Sequence, residues 1–72
     1  MDTIATKSGP LSPEEFKVRA RSFIDEQMNA GKGGQAAIEE LMQQVDESCE
    51  QWARELAEEV LRERLRAKAD HH

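Results

Sequence analysis

The stretch from Ile38 to Val60, IEELMQQVDESCEQWARELAEEV, carries the most regular apolar pattern in this chain. Its apolar residues recur three and four positions apart along the stretch, with Leu41/Met42 and Trp52/Ala53 as adjacent pairs, so that on a helix they share one arc about 120° wide. An arc of that width is typical of a buried helical stripe. The stripe consists of Ile38, Leu41, Met42, Val45, Cys49, Trp52, Ala53, Leu56 and Val60.

The stripe predicts one long helix from about residue 35 to about residue 68, because no Pro or Gly interrupts that range. At about 1.5 Å per residue such a helix is roughly 50 Å long. Its weakest point is Asp46-Glu47-Ser48, since Asp and Ser favour helix caps. The stripe keeps its phase across this point, which favours a continuous helix over a break there.

A shorter helix is predicted before it, over residues 13–30. Ser12 is a suitable N-cap, Pro13 suits the first helical position, and Glu15 completes a capping box. Gly31 follows the last apolar residues and is typical of a helix end. The glycine-rich residues 31–34 are therefore interpreted as the turn between two helices. They differ from a P-loop, because a helix precedes them and no Ser or Thr follows Lys32. The alternative interpretation is that Gly33 and Gly34 let the free amides at the start of the next helix approach an anion.

Residues 1–11 form an N-terminal arm with two open interpretations. Thr3-Ile4-Ala5-Thr6 is rich enough in β-branched residues for a short strand, which would need a partner such as the same strand of a second copy. The other interpretation is a disordered tail. Residues 12–70 make one helical domain, and His71 and His72 are interpreted as a tail, in the manner of a purification-tag remnant.

The first helix is too short to cover the second, so apolar residues of the long helix are left without a partner in the same chain. We therefore expect an all-α fold, with one short N-terminal strand as an option: a helical hairpin with a long second helix, paired as a homodimeric helical bundle. The residues expected to form the core and the dimer seam are Ile38, Met42, Val45, Cys49, Trp52, Leu56, Val60, Leu61 and Leu65.

Composition and residue chemistry argue against several classes of function. The chain has 72 residues, enough for one small domain, with a net charge of −5 and one cysteine. No apolar run approaches the roughly 20 residues of a membrane span, and the start lacks a signal-peptide pattern, so a cytoplasmic location is expected. Ser48 and Cys49 have no histidine to activate them before residue 71. We expect no enzyme activity and no catalytic, cofactor or metal site.

An acidic segment gives the first functional hypothesis. Residues 35–53 contain no Lys or Arg. We therefore expect a regulatory protein-interaction module that docks on a larger protein with a basic surface. The acidic residues of this segment are Glu39, Glu40, Asp46, Glu47 and Glu50.

The alternative hypothesis is a small dimeric DNA-binding regulator. The order of strand, helix, glycine turn and helix resembles that of ribbon-helix-helix dimers, whose paired strands enter the major groove. Strand alternation would place Ile4 and Thr6 toward the core and the intervening residues outward. The candidate nucleic-acid contacts under this hypothesis are Thr3, Ala5, Lys7, Lys17, Arg21 and Lys32.

Overall fold

The computed structural model describes residues 3–69, which are mostly helical with a short antiparallel hairpin at the start. The all-α expectation is thus confirmed in its broad form, while the predicted tail at residues 71–72 lies outside the described range. In chain order the elements are β1 (Ile4–Thr6), β2 (Gly9–Leu11), α1 (Pro13–Asn29), α2 (Gly34–Met42), a 3-10 helix (Glu47–Cys49) and α3 (Glu50–Ala69).

Helix α1 begins and ends where its sequence signals indicate. The Ser12 hydroxyl accepts a hydrogen bond from the Glu15 backbone N–H at 3.2 Å, and Pro13 occupies the first turn. At the other end Gly31 has φ +96°, the left-handed conformation that glycine adopts most easily after a helix. The prediction of a helix over 13–30 followed by a turn at 31–34 is confirmed to within a residue.

The prediction of one long second helix is wrong, because the helix is interrupted between Met42 and Glu47. The Asp46 backbone N–H donates to the Ala5 carbonyl at 2.8 Å, and the Gln44 carbonyl accepts from the Lys7 N–H at 2.9 Å. In a continuous helix these two backbone groups would bond to partners four residues away. Hydrogen bonds with Ala5 of β1 and with Lys7, just after β1, therefore replace helical hydrogen bonds. Asp46 then caps the 3-10 helix that leads into α3.

The N-terminal arm is ordered and pairs within its own chain. β1 pairs antiparallel with β2, with Ile4 opposite Leu11 and Thr6 opposite Gly9. On its other side, Thr6 forms an isolated bridge with Val45. The tail interpretation is wrong for residues 3–11, and the strand finds its partner in the same chain. The sequence does not indicate β2, because Gly9 and Pro10 favour turns more than strands.

The three helices fold back on one another around a single core. Four alanines of this core, Ala20, Ala37, Ala53 and Ala57, are fully buried, and their small side chains allow the helices to approach closely. Because α2 and α3 are separate helices, the mismatch in length between the first helix and one long second helix, which motivated the predicted dimer, is absent. The buried core residues are Ile4, Phe16, Ala20, Ile24, Ala37, Ile38, Leu41, Met42, Val45, Cys49, Ala53, Ala57, Val60 and Leu61.

Candidate interaction surface

The chain reversal after α2 gathers part of the acidic segment around an open cleft of about 250 Å³. Glu39 comes from α2, Glu47 from the 3-10 helix and Glu50 from the first residue of α3. A continuous helix would have spread these carboxylates along its length. We call this surface the acidic cleft; its lining residues are Glu39, Met42, Gln43, Val45, Glu47 and Glu50.

The acidic cleft combines apolar and charged lining residues. Met42 and Val45 expose only 5% and 8% of their surface, and both contribute to the cleft as well as to the core. The carboxylate-bearing residues of the cleft are more accessible to solvent. This arrangement suits a ligand group with an apolar stem and a positively charged end.

Arg54 neutralises part of the negative charge at the acidic cleft. Its guanidinium donates to both carboxylate oxygens of Glu39, and its Nη2 lies 3.5 Å from Glu50 Oε1. The hydrogen bond from Arg54 lowers the pKa of Glu39, and Glu39 raises the pKa of Arg54. Glu47 forms no ion pair with any side chain in the described part of the chain. Three carboxylates against one guanidinium leave the cleft negative.

Asp46 adds a further negative charge immediately before the 3-10 helix. Its carboxylate accepts hydrogen bonds from the Ser48 hydroxyl and, at 3.1 Å, from the Ser48 backbone N–H. These bonds stabilise the ionised form, so that the pKa of Asp46 is lowered. Glu40 contributes less, because Lys32 Nζ lies 2.6 Å from its Oε1.

The residues predicted for the dimer seam lie in several environments. Six of them, Ile38, Met42, Val45, Cys49, Val60 and Leu61, are buried within the chain's own core. Trp52 and Leu56 are partly buried against the core, while Leu65 keeps 48% of its surface exposed. Most of the residues predicted for the dimer seam are therefore occupied by contacts within the chain.

The candidate nucleic-acid contacts do not form one basic surface. Lys17 pairs with Glu59 at 3.2 Å, and Arg21 lies 3.4 Å from Glu63. Lys32 is paired with Glu40, as described above. Thr3, Ala5 and Lys7 are exposed, while Ile4 is buried and Thr6 is half-buried, so the predicted alternation is observed with Thr6 only partly covered. However, both sides of β1 are hydrogen-bonded within the chain, which leaves no free side for pairing with a second β1.

A second concave surface, which we call the α1 groove, lies between α1, the hairpin and the end of α2 and has a volume of about 270 Å³. Sequence reasoning missed it, because the sequence of α1 alone does not show which other segments of the chain complete the concave surface. The available signal was the spacing of Arg19, Phe23 and Glu26 along one side of that helix. The lining residues are Thr6, Ser8, Leu11, Phe16, Arg19, Ser22, Phe23, Glu26, Leu41, Gln44 and Val45.

The described residues contain neither a cluster of metal-binding side chains nor a membrane-spanning helix. No group of three or more His, Cys, Asp or Glu side chains in residues 3–69 is arranged to hold a metal ion. No helix within the same range is both long enough and apolar enough to cross a membrane. The cysteine, Cys49, is a free thiol buried in the core.

Comparison with known proteins yields no relative: no family model matches the chain, and no match is found among curated proteins or solved structures.

Proposed function

We propose that this chain is a non-enzymatic, regulatory protein-interaction module that binds a basic segment of a larger protein at the acidic cleft. The observation that carries the proposal is that Met42 and Val45 line the same cleft as Glu39, Glu47 and Glu50. A cleft of this composition offers apolar contact and negative charge in the same place.

A lysine or arginine side chain is the ligand group that this chemistry fits best. Its aliphatic stem can pack on Met42 and Val45 while its charged end reaches a carboxylate. Glu47 is the strongest candidate for that contact, because Arg54 already pairs with Glu39 and Glu50. Electrostatic complementarity of this kind mainly sets partner choice and the rate of association.

The DNA-binding alternative has less support from the contacts of the candidate residues. Three of the basic residues it needs are paired with carboxylates, and the net charge of −5 opposes approach to a phosphate backbone. The DNA-binding alternative now rests on the exposed residues Thr3 and Ala5 and on Lys7, the exposed cation that follows β1. A gel shift that responds to salt and is lost in Lys7→Ala would support it.

Binding of a defined peptide tests the interaction proposal. The probe is a short amphipathic peptide of alternating lysine and leucine, titrated into the full chain by calorimetry, with the glutamate–leucine counterpart as the negative probe. We expect Glu47→Lys to weaken binding of the basic peptide by about tenfold or more, since it replaces attraction with repulsion at the cleft.

Glu55→Lys is the matched control, because Glu55 is an exposed residue of α3 outside the acidic cleft and the charge change is the same. Binding should be nearly unchanged in this variant. Equal losses in both variants would mean that overall charge alone attracts the peptide. That result, or absence of binding by the unmodified chain, would contradict the proposal.

A further inference from the structure

The α1 groove has an apolar floor that the chain itself leaves only partly covered. Phe16, Leu41 and Val45 lie beneath it as buried core residues. Leu11 and Phe23 pack against this core but remain partly exposed. A partly exposed aromatic ring at a concave surface is typical of a contact site.

Opposite charges lie at the two ends of this apolar floor. Arg19 and Glu26 both line the α1 groove and are seven residues apart on α1, which places them about 10 Å apart along the helix axis. Neither residue forms an ion pair with another side chain in the described part of the chain. Ser22 and Phe23 lie midway between them.

We propose that the occupant of the α1 groove is a second copy of this chain, with the two α1 helices antiparallel about a two-fold axis near Ser22 and Phe23. In this arrangement Arg19 meets Glu26 of the partner subunit, and the same ion pair occurs a second time by symmetry. The two Phe23 rings meet close to the axis, where an aromatic pair adds to the burial of apolar surface.

The charge pattern is the reason for choosing a second copy as the occupant. A two-fold contact requires one patch to be complementary to itself, so opposite charges must lie at equal distances from its centre. Arg19 and Glu26 satisfy this condition about the point between Ser22 and Phe23. A parallel pairing would instead place like charges together. The proposal does not depend on the acidic cleft, which shares only Val45 with the α1 groove.

Sedimentation of charge variants tests this arrangement. The unmodified chain should sediment with twice its monomer mass of 8.2 kDa at high concentration. Arg19→Glu and Glu26→Arg should each weaken self-association at least tenfold, because each places two pairs of like charges at the interface. An equimolar mixture of the two variants should recover dimers, since one copy is then negative at both positions and the other positive.

Two further variants complete the test. The exchange variant Arg19→Glu/Glu26→Arg restores the self-complementary pattern with reversed signs and should dimerise like the unmodified chain. Arg62→Glu, on an exposed position of α3 outside the groove, should leave the dimer unchanged. Circular dichroism checks that each variant is folded. A monomeric unmodified chain, a mixture that stays monomeric, or an equal effect of Arg62→Glu would overturn the proposal.

Discussion

Gly34 and Leu61 illustrate how tightly single residues fix the packing of α2 on α3. A Cβ atom added to Gly34 would lie 2.8 Å from both Leu61 methyl carbons, Cδ1 and Cδ2, well inside van der Waals contact. Leu61 is itself buried in the core and has little freedom to move away. The first residue of α2 is therefore glycine for reasons of space, although alanine is the better helix former.

We expect Gly34→Ala to lower the free energy of unfolding by about 1–3 kcal/mol through overpacking against Leu61. Urea denaturation measures the change. In the double variant with Leu61→Ala, the free energy of unfolding should fall by less than the sum of the decreases in the two single variants. Gly33→Ser is the control: Gly33 is the N-cap of α2, has open space around it and forms no side-chain cap. The free energy of unfolding of Gly33→Ser should rise by a few tenths of a kcal/mol, because serine supplies the missing cap. A loss in Gly33→Ser equal to that in Gly34→Ala would contradict the packing argument.

Asp46 gives a pH dependence whose sign follows from its hydrogen bonds with Ser48. The pKa of Asp46 is lower in the folded chain than in the unfolded chain. Its stabilising contribution is therefore complete above the unfolded pKa, near pH 4, and is lost as the pH falls through the folded value. We expect Asp46→Ala to be less stable than the unmodified chain at neutral pH, with a gap that narrows below about pH 4.

Urea denaturation of both proteins between about pH 7 and about pH 2 measures this gap. Glu47→Ala is the control, because Glu47 is an exposed neighbour with no side-chain hydrogen bond among those found in residues 3–69. Its effect on stability should show much less pH dependence. A constant gap between Asp46→Ala and the unmodified chain over the whole range would be inconsistent with the cap.

At the scale of elements, the hairpin of β1 and β2 is part of the core through Ile4, which is fully buried. We expect Ile4→Ala to lower the free energy of unfolding by about 2–5 kcal/mol, because it removes buried apolar atoms and leaves a cavity. Val18→Ala serves as the control, since Val18 is 70% exposed, and should change stability by less than about 0.5 kcal/mol. Equally small effects in both variants would show that the hairpin does not contribute to the core.

The elements differ in how far the sequence predicts them. The ends of α1 depend on Ser12, Pro13 and Gly31, which act on their immediate neighbours, so they can be predicted locally. The break between α2 and α3 depends on backbone hydrogen bonds with Ala5 and Lys7, which lie about 40 residues away in the chain. No local pattern contains that information. The spacing of apolar residues continued across the break because residues on both sides face the same core.

The candidate site shows the same division between local and distant information. The acidic character of residues 35–53 is visible in the sequence, but the meeting of Glu39 with Glu47 and Glu50 requires the chain reversal after Met42. The α1 groove was missed because its apolar lining residues Leu11, Phe23 and Leu41 lie far apart in sequence. On α3, Ala53 and Ala57 are fully buried in the core whereas Trp52 is only partly buried. A hydrophobicity pattern does not show this, because larger side chains dominate it.

At the scale of the whole molecule, the core lies within one chain, so folding should not require association. We expect the urea midpoint of Arg19→Glu to stay constant on tenfold dilution, because this variant is the monomer of the proposed dimer. The unmodified chain should show a small downward shift on dilution as its dimers separate. A shift in Arg19→Glu as large as that in the unmodified chain would mean that folding is coupled to an association which does not involve the α1 groove.

The enclosure of β1 has a consequence for aggregation. Proteins with an open strand at a sheet edge risk growth by edge-to-edge polymerisation, which is the first step of many fibrillar deposits. Here β1 is flanked by β2 and by the residues around Val45, and the outer strand β2 contains Pro10, which has no N–H to offer a newcomer. The sheet therefore discourages strand exchange and fibril templating, and leaves the helical faces as the surfaces through which copies of this chain can meet.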